Sequence, residues 1–160
     1  MEQLSDYLEY NHQTGILTWK KKPSKNIQIG KEAGYKSNIG YIQIGFRGKI
    51  YYAHRIAWEL YYNENPPKMV DHINGNKSDN RIENLRSANN AQNMQNMGKT
   101  KRNSTGFKGV CHLKKQNKYM AVIGHKMKSI YLGVYETAEE AHAAYCKAAE
   151  KLHGAFCKTE

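Results

Sequence analysis

Val70-Asp71-His72-Ile73-Asn74-Gly75-Asn76, continued through Asn84 to Asn93, is the stretch that decides how this 160-residue chain is read. It sets a carboxylate beside an imidazole and follows them with spaced carboxamides. A hard divalent cation takes oxygen ligands, which Asp and Asn supply, and a neighbouring imidazole can take a proton from water near neutral pH. That is equipment for cutting a phosphodiester. Asn, Asp and Gly also form turns whatever the chemistry, so a polar loop is the competing reading of the same residues. The flanking sequence has to choose.

On the C-terminal side, Asn74-Gly75-Asn76 supplies a turn and Asp79-Asn80 to Asn84-Leu85-Arg86 brings the chain back. A hairpin with a long polar loop follows from Lys68-Met69-Val70 as the entering strand. Ser87 suits an N-cap for a helix from about Ala88 to Met97, with Asn90, Asn93 and Met97 on one side. Strand, loop, strand and helix would bring Asp71 and Asn93 to one ion, with His72 beside it. On the N-terminal side, His54 to Tyr62 carries Ile56, Ala57, Leu60 and Tyr61 at helical spacing, ended by Asn65-Pro66-Pro67. His54 and Arg55 stand at its start, open to a phosphate-facing role or to packing. Before it, Gly40 to Phe46 and Ile50 to Ala53 read as two strands around Arg47-Gly48-Lys49, and Tyr7 to Trp19 as a smaller hairpin. Lys20 to Lys25 is an exposed basic run broken by Pro23.

Composition narrows the partner. Twenty-five Lys and Arg against 14 Asp and Glu leave +11, spread along the chain, with 13 basic against 9 acidic residues before Asn96 and 12 against 5 from it onward. Nucleic acid is the natural polyanion, because basic side chains that neutralise phosphates release counterions. A membrane surface lacks its signature, a basic amphipathic helix with a wide apolar face. The start, Met1 to Asp6, has no basic and apolar leader, and no stretch approaches a transmembrane length, so a cytoplasmic protein is expected. Cys111, Cys146 and Cys157 are odd in number and form no Cys-x-x-Cys pair, which argues against a disulfide framework.

Asp71-His72-Ile73-Asn74-Gly75-Asn76, Asn80-Arg81-Ile82-Glu83-Asn84-Leu85-Arg86 and Asn93, preceded by His54-Arg55-Ile56-Ala57-Trp58, resemble the HNH endonucleases of the phage and intron homing type. The resemblance implies a ββα-metal site in which Asp71 and Asn93 bind one divalent cation. His72 would be the general base for the attacking water, and Asn84 would orient the loop and the His72 ring. The last position, often His in this superfamily, is Asn93, which favours Mg²⁺ or Mn²⁺ over Zn²⁺ or Ni²⁺. Arg55, Arg81 and Arg86 are candidates for contact with DNA.

Residues 97–105 lack apolar periodicity and read as a basic linker, with Lys101 and Arg102 placed to track the DNA backbone. Beyond it, Gly106 to Leu113, Lys118 to Ile123 and Ser129 to Tyr135 read as strands. Thr137 then caps a helix with Glu139 and Glu140 in its first turn. Gly106-Phe107-Lys108-Gly109-Val110, Tyr119 to Ile123, Leu132 to Tyr135 and Thr137 to Tyr145 resemble the AP2 DNA-binding domain. Such a domain lays its sheet in the major groove, and the matching face here would draw on Lys108, His112, Lys114, Lys118 and Tyr119. Several guanine-reading arginines of the plant members are absent, with Cys111, Leu113 and Gly124 near those positions. Lysine grips phosphate without the bidentate fork. His142/Cys146 and His153/Cys157, each spaced i, i+4, form a pattern zinc could use, although ordinary surface and half-buried roles explain them better.

The expected molecule is therefore α+β. An HNH ββα-metal module over 1–96 precedes a linker at 97–105 and an AP2-like domain over 106–160, a three-stranded antiparallel sheet on one helix. Its expected activity is hydrolysis of double-stranded DNA with one Mg²⁺ or Mn²⁺. No obligate protein partner is evident. A monomer would nick, and a homodimer could cut both strands. The alternative is a catalytically inactive DNA-binding regulator, and a third reading is a structural RNA-binding protein.

Overall fold

The computed structural model describes residues 3–99 and 103–157. The chain divides into two compact units, Met1–Asn89 and Asn90–Glu160.

In the first unit, β1 (Leu8–Asn11) and β2 (Ile16–Trp19) form the expected hairpin, with Leu8 opposite Trp19. β4 (Ile42–Phe46) and β5 (Lys49–Tyr52) form the second, and a short β3 (Tyr35–Lys36) pairs with the outer side of β4. β3 is two residues without apolar alternation, so nothing local announces it. Helix α1 (Ala53–Tyr62) follows β5 directly and stops at Asn63, whose φ of 53° turns the chain left-handed. One side of α1 buries Ala53 and Ile56 against Leu8, Leu17, Trp19, Ile44 and Phe46 of the hairpins. Its next residues, Ala57 and Trp58, pack on Val70 and Leu85. The helix is thus the beam between the hairpins and the strand pair that carries the Asp-His dipeptide.

That pair is β6 (Val70–His72) and β7 (Leu85–Ser87), with Asp71 and His72 at the end of the entering strand as expected, opposite Arg86 and Leu85. It corrects one expectation. Ser87 pairs with Val70, and the Ala88 amide extends the ladder to the Met69 carbonyl, so Ser87 is spent in the sheet and caps no helix. Helix α2 begins at Asn90 and ends at Asn96, shorter than the expected span.

In the second unit, β8 (Val110–Leu113), β9 (Lys118–His125) and β10 (Lys128–Tyr135) form an antiparallel sheet with β9 central, followed by α3 (Ala138–His153). Thr137 caps α3 by accepting from the Glu140 amide, while the Glu140 carboxylate accepts from the Thr137 amide. Ala121, Ala138, Ala141 and Ala149 are buried at the helix–sheet contact, where small side chains allow close approach. Gly109 is required there: its φ is 76°, and a Cβ would run into the Tyr145 ring.

The His/Cys quartet is explained by packing. His142 Nδ1 hydrogen bonds the Lys108 carbonyl at 3.2 Å, Cys146 Sγ lies 3.5 Å from His142 Nε2, and His153 Nε2 donates to the Gly124 carbonyl at 3.0 Å. Among the described residues, no three His, Cys, Asp or Glu side chains are grouped to hold a metal.

Candidate active site

The site is built around a buried strand. Asp71 and His72 are 6% and 3% exposed, because all three residues of β6 lie under neighbouring elements. An isolated carboxylate or imidazole would not be tolerated there without partners. Asp71 Oδ2 accepts from Arg86 Nε at 3.0 Å and lies in ion-pair contact with Nη2 at 2.9 Å, a cross-strand pair set by the β6–β7 register.

His72 is held by Asn80, itself 3% exposed, through a 3.2 Å contact between Nε2 and Asn80 Oδ1. A carboxamide oxygen only accepts, so Nε2 carries the proton and the basic lone pair resides on Nδ1. The ring is walled by aromatics. His54 meets it edge-on at 5.0 Å, and the Tyr41 ring lies 5.8 Å away. Burial pushes the His72 pKa down, opposed by the Asn80 hydrogen bond and the Asp71 charge. His54, whose Nδ1 is buried without a hydrogen-bond partner, is pushed down to about 3 by burial and then by His72 and Arg55. Burial thus favours the neutral form of both rings.

Asn84 organises the loop. Its Oδ1 accepts from the Asn74 amide at 2.9 Å, and its Nδ2 donates to the Asp79 carbonyl at 2.7 Å, so it clamps both ends of 74–79. The ring bond that the resemblance assigned to Asn84 is made by Asn80. Asp79 joins Asn74 Nδ2 at 2.8 Å to a fork from Arg81 at 2.8 and 2.9 Å, and the Arg81 hydrogen bonds hold its pKa at about 2.

The N-terminal hairpin reaches this loop. Tyr10 donates to the Asn80 carbonyl at 2.6 Å, and the Ile82 amide donates to the His12 carbonyl at 3.3 Å. Gly15, with φ of 76°, sits so close that an added Cβ would meet Arg81 N at 2.5 Å. Sequence reasoning leaves His54 open between a phosphate-facing role and packing, and it misses both the Asn80 contact to the His72 ring and the reach of this hairpin to the loop. For Asn80 the local signal was a second carboxamide four residues before Asn84. For the hairpin there was none, since its contact is seventy residues away in the chain.

Most residues expected to touch DNA have partners inside the protein. Arg55 donates to the Pro67 carbonyl at 2.9 Å and weakly to Pro66 and Lys68, clamping α1 to the following loop. Arg81 is paired with Asp79 and Glu83, and Arg86 with Asp71. Lys108 donates to the Gln95 carbonyl at 2.7 Å, and Lys118 pairs with Glu136 at 2.6 Å. His112 and Tyr119 stack at 4.8 Å, on the helix side of the sheet, in register with buried Val110 and Ala121. That corrects their placement on the outward face: strand alternation puts them opposite to it. Lys114 is exposed in the β8–β9 turn, and Lys101 and Arg102 lie outside the described residues. Asn93 stands half-buried on α2, in the second unit, while Asp71, His72 and Asn84 lie in the first.

Family comparison agrees with this layout. Residues 51–95 match the model described as HNH endonuclease, and residues 105–155 match that of the AP2 domain. The first match begins in β5 and runs through α1, β6, β7 and most of α2, leaving β1 and β2 outside it. Neither curated proteins nor solved structures gave a match.

Proposed function

From a chain that carries an HNH endonuclease segment followed by an AP2 domain, the parts of a DNA-binding nuclease, we propose a homing-type, metal-dependent endonuclease acting on double-stranded DNA. The observation that carries the reading is the buried Asp71-His72 strand, with the His72 ring fixed by Asn80 and flanked by neutral His54. His72 Nδ1 accepts a proton from water as its oxygen bonds to phosphorus and the bond to the 3′ oxygen breaks. Asn80 and the aromatic wall keep that lone pair in one orientation, and Asn84 holds the loop over it.

The donor set suits a hard cation. The residues proposed to hold it, Asp71 and Asn93, offer carboxylate and carboxamide oxygens, the donor chemistry that Mg²⁺ prefers. When bound, Mg²⁺ or Mn²⁺ supplies Lewis-acid stabilisation of the charge on the phosphoryl and leaving oxygens. The AP2 unit supplies affinity for duplex DNA.

The second reading is the catalytically inactive DNA-binding regulator. It is favoured by the Asp71–Arg86 ion pair, which engages the one carboxylate of the donor set. Supercoiled plasmid decides between them. The enzyme nicks or linearises it with Mg²⁺ or Mn²⁺ and stops with chelator. A protein that retards DNA on a gel yet cuts with neither ion is the regulator. Among the described residues no helix is long and apolar enough to cross a membrane.

A further inference from the structure

The sheet of the second unit has two unlike faces. Val110, Ala121 and Ile123 point to α3 and are buried with it, and Phe107, Tyr119, Leu132 and Tyr135 pack on the same side. Alternation along each strand sends Cys111, Leu113, Met120, Val122, Tyr131 and Val134 to the other face, and none of the six belongs to a core cluster. Register places them side by side: Cys111 and Val134 flank Met120, and Tyr131 lies opposite Val122. The irregularity between Tyr131 and Gly133 turns Leu132 into the core and leaves Tyr131, 63% exposed, standing out.

Lysines stand at both ends of this face, while Lys118 at its edge is paired with Glu136. Lys114 and Lys115 sit in the turn at one end of β9, and Lys126 and Lys128 at the other. The eight residues of β9 separate the two groups by roughly 23 Å at about 3.3 Å per residue. The sequence has no arginine after Arg102. An apolar centre between two cationic ends complements a duplex groove, whose floor carries base edges and whose rims carry phosphates.

We infer that this open face reads thymine methyl groups in the major groove, selecting duplex DNA rich in A·T steps, with the lysine turns gripping the phosphates on either side. The inference rests on the DNA-binding role proposed above. Without a guanidinium the face lacks the planar fork that best matches guanine O6 and N7, which a lysine meets only as a point charge. The thymine C5-methyl is the one apolar group a major groove offers, and Met120, Val122 and Tyr131 match it. Lys118, tied to Glu136 at the edge of the face, adds no fork.

The test is replacement of thymine by uracil, which removes the methyl and keeps the base pair. Full-length protein in chelator is titrated with A·T-rich duplexes carrying thymine, with the same duplexes carrying uracil, and with G·C-rich duplexes. Burial of a methyl predicts a loss of about threefold to fourfold per contacted thymine, so roughly tenfold for two. The G·C-rich duplex should bind no better than the uracil one. Val122→Thr, which keeps the shape and adds a hydroxyl, should narrow the thymine-to-uracil ratio while the chain stays folded by circular dichroism. Equal binding of thymine and uracil duplexes overturns methyl reading and leaves DNA binding intact. Binding of neither duplex removes the DNA-binding role itself, a distinguishable failure. Concentration-dependent dimerisation that Tyr131→Ala abolishes, with unchanged DNA binding, would assign the face to a second copy of this chain and overturn the inference.

Discussion

The two units handle polar groups in opposite ways. Around β6 the polar side chains are buried and mutually bonded: Asp71 to Arg86, His72 to Asn80, Asn84 to both ends of the 74–79 loop. On the open face of the β8–β10 sheet the side chains are mainly apolar, Cys111, Tyr131 and Val134 exposed and Leu113, Met120 and Val122 half-buried, and lysines stand at its ends. Positioned chemistry needs groups that cannot rotate, and burial with full hydrogen bonding provides that. Groove reading needs a surface that can meet DNA, with lysines free to track phosphates. All described arginines lie in the first unit, and three of them are committed to holding it together.

The sharpest way to break this division is His72→Ala. Loss of a general base should lower the cleavage rate about 10²- to 10⁴-fold while the gel-shift affinity stays within twofold; an equal loss of binding would merge the two roles. Next in size is Asn80→Ala, expected to cost up to about 10²-fold in kcat with KM little changed, since it releases the ring without touching DNA. Asn80→Asp keeps an oxygen acceptor for Nε2 and should recover part of that loss. A purely structural Asn80 would show no such recovery.

Gly15→Ala probes the hairpin from outside the HNH match. A Cβ there meets the Arg81 and Asn80 backbone, and a φ of 76° is strained for alanine. Destabilisation of about 1–3 kcal/mol by urea unfolding is expected. The surviving folded enzyme should have a lower kcat, because Asn80 moves with that backbone.

Smaller again is the pH effect of His54. Its folded pKa is lowered to about 3, so below the unfolded value near 6.5 the unfolded chain takes up the proton first. Stability is then unaffected above pH 6.5 and falls by up to about 1.4 kcal/mol per pH unit between about 6.5 and 3. Urea midpoints at pH 7, 6 and 5 should fall less steeply in His54→Gln, and an unchanged slope would rule out the buried neutral imidazole as the cause. The smallest effect belongs to the turns. Lys114→Gln with Lys115→Gln should reduce the salt dependence of DNA binding by about two in log–log slope and leave kcat at saturating DNA unchanged.

The elements legible in the sequence are those with a strong local period or a strong cap. α1 showed itself through Ile56, Ala57 and Leu60, α3 through Thr137 and its alanines, and the β1–β2, β4–β5 and β8–β10 strands through alternation. Ser87 misled because a good capping residue serves equally well in a strand when the ladder takes its backbone. His112 and Tyr119 were assigned to the wrong face because basic and aromatic composition says nothing about strand parity, which the burial of Val110 and Ala121 fixes.

By itself the sequence determined which groups are available: a carboxylate and an imidazole in one dipeptide, carboxamides following, an arginine-free C-terminal part and a surplus of positive charge. Those are properties of side-chain chemistry and need no fold. Only the tertiary structure decided the partners. Asn80 rather than Asn84 takes the His72 ring, the arginines turn inward, and a hairpin near the N-terminus braces the loop at Asn80. Hydrogen bonds and packing of that kind join residues distant in sequence, and their choice among equivalent carboxamides or cations follows from which groups burial leaves without water.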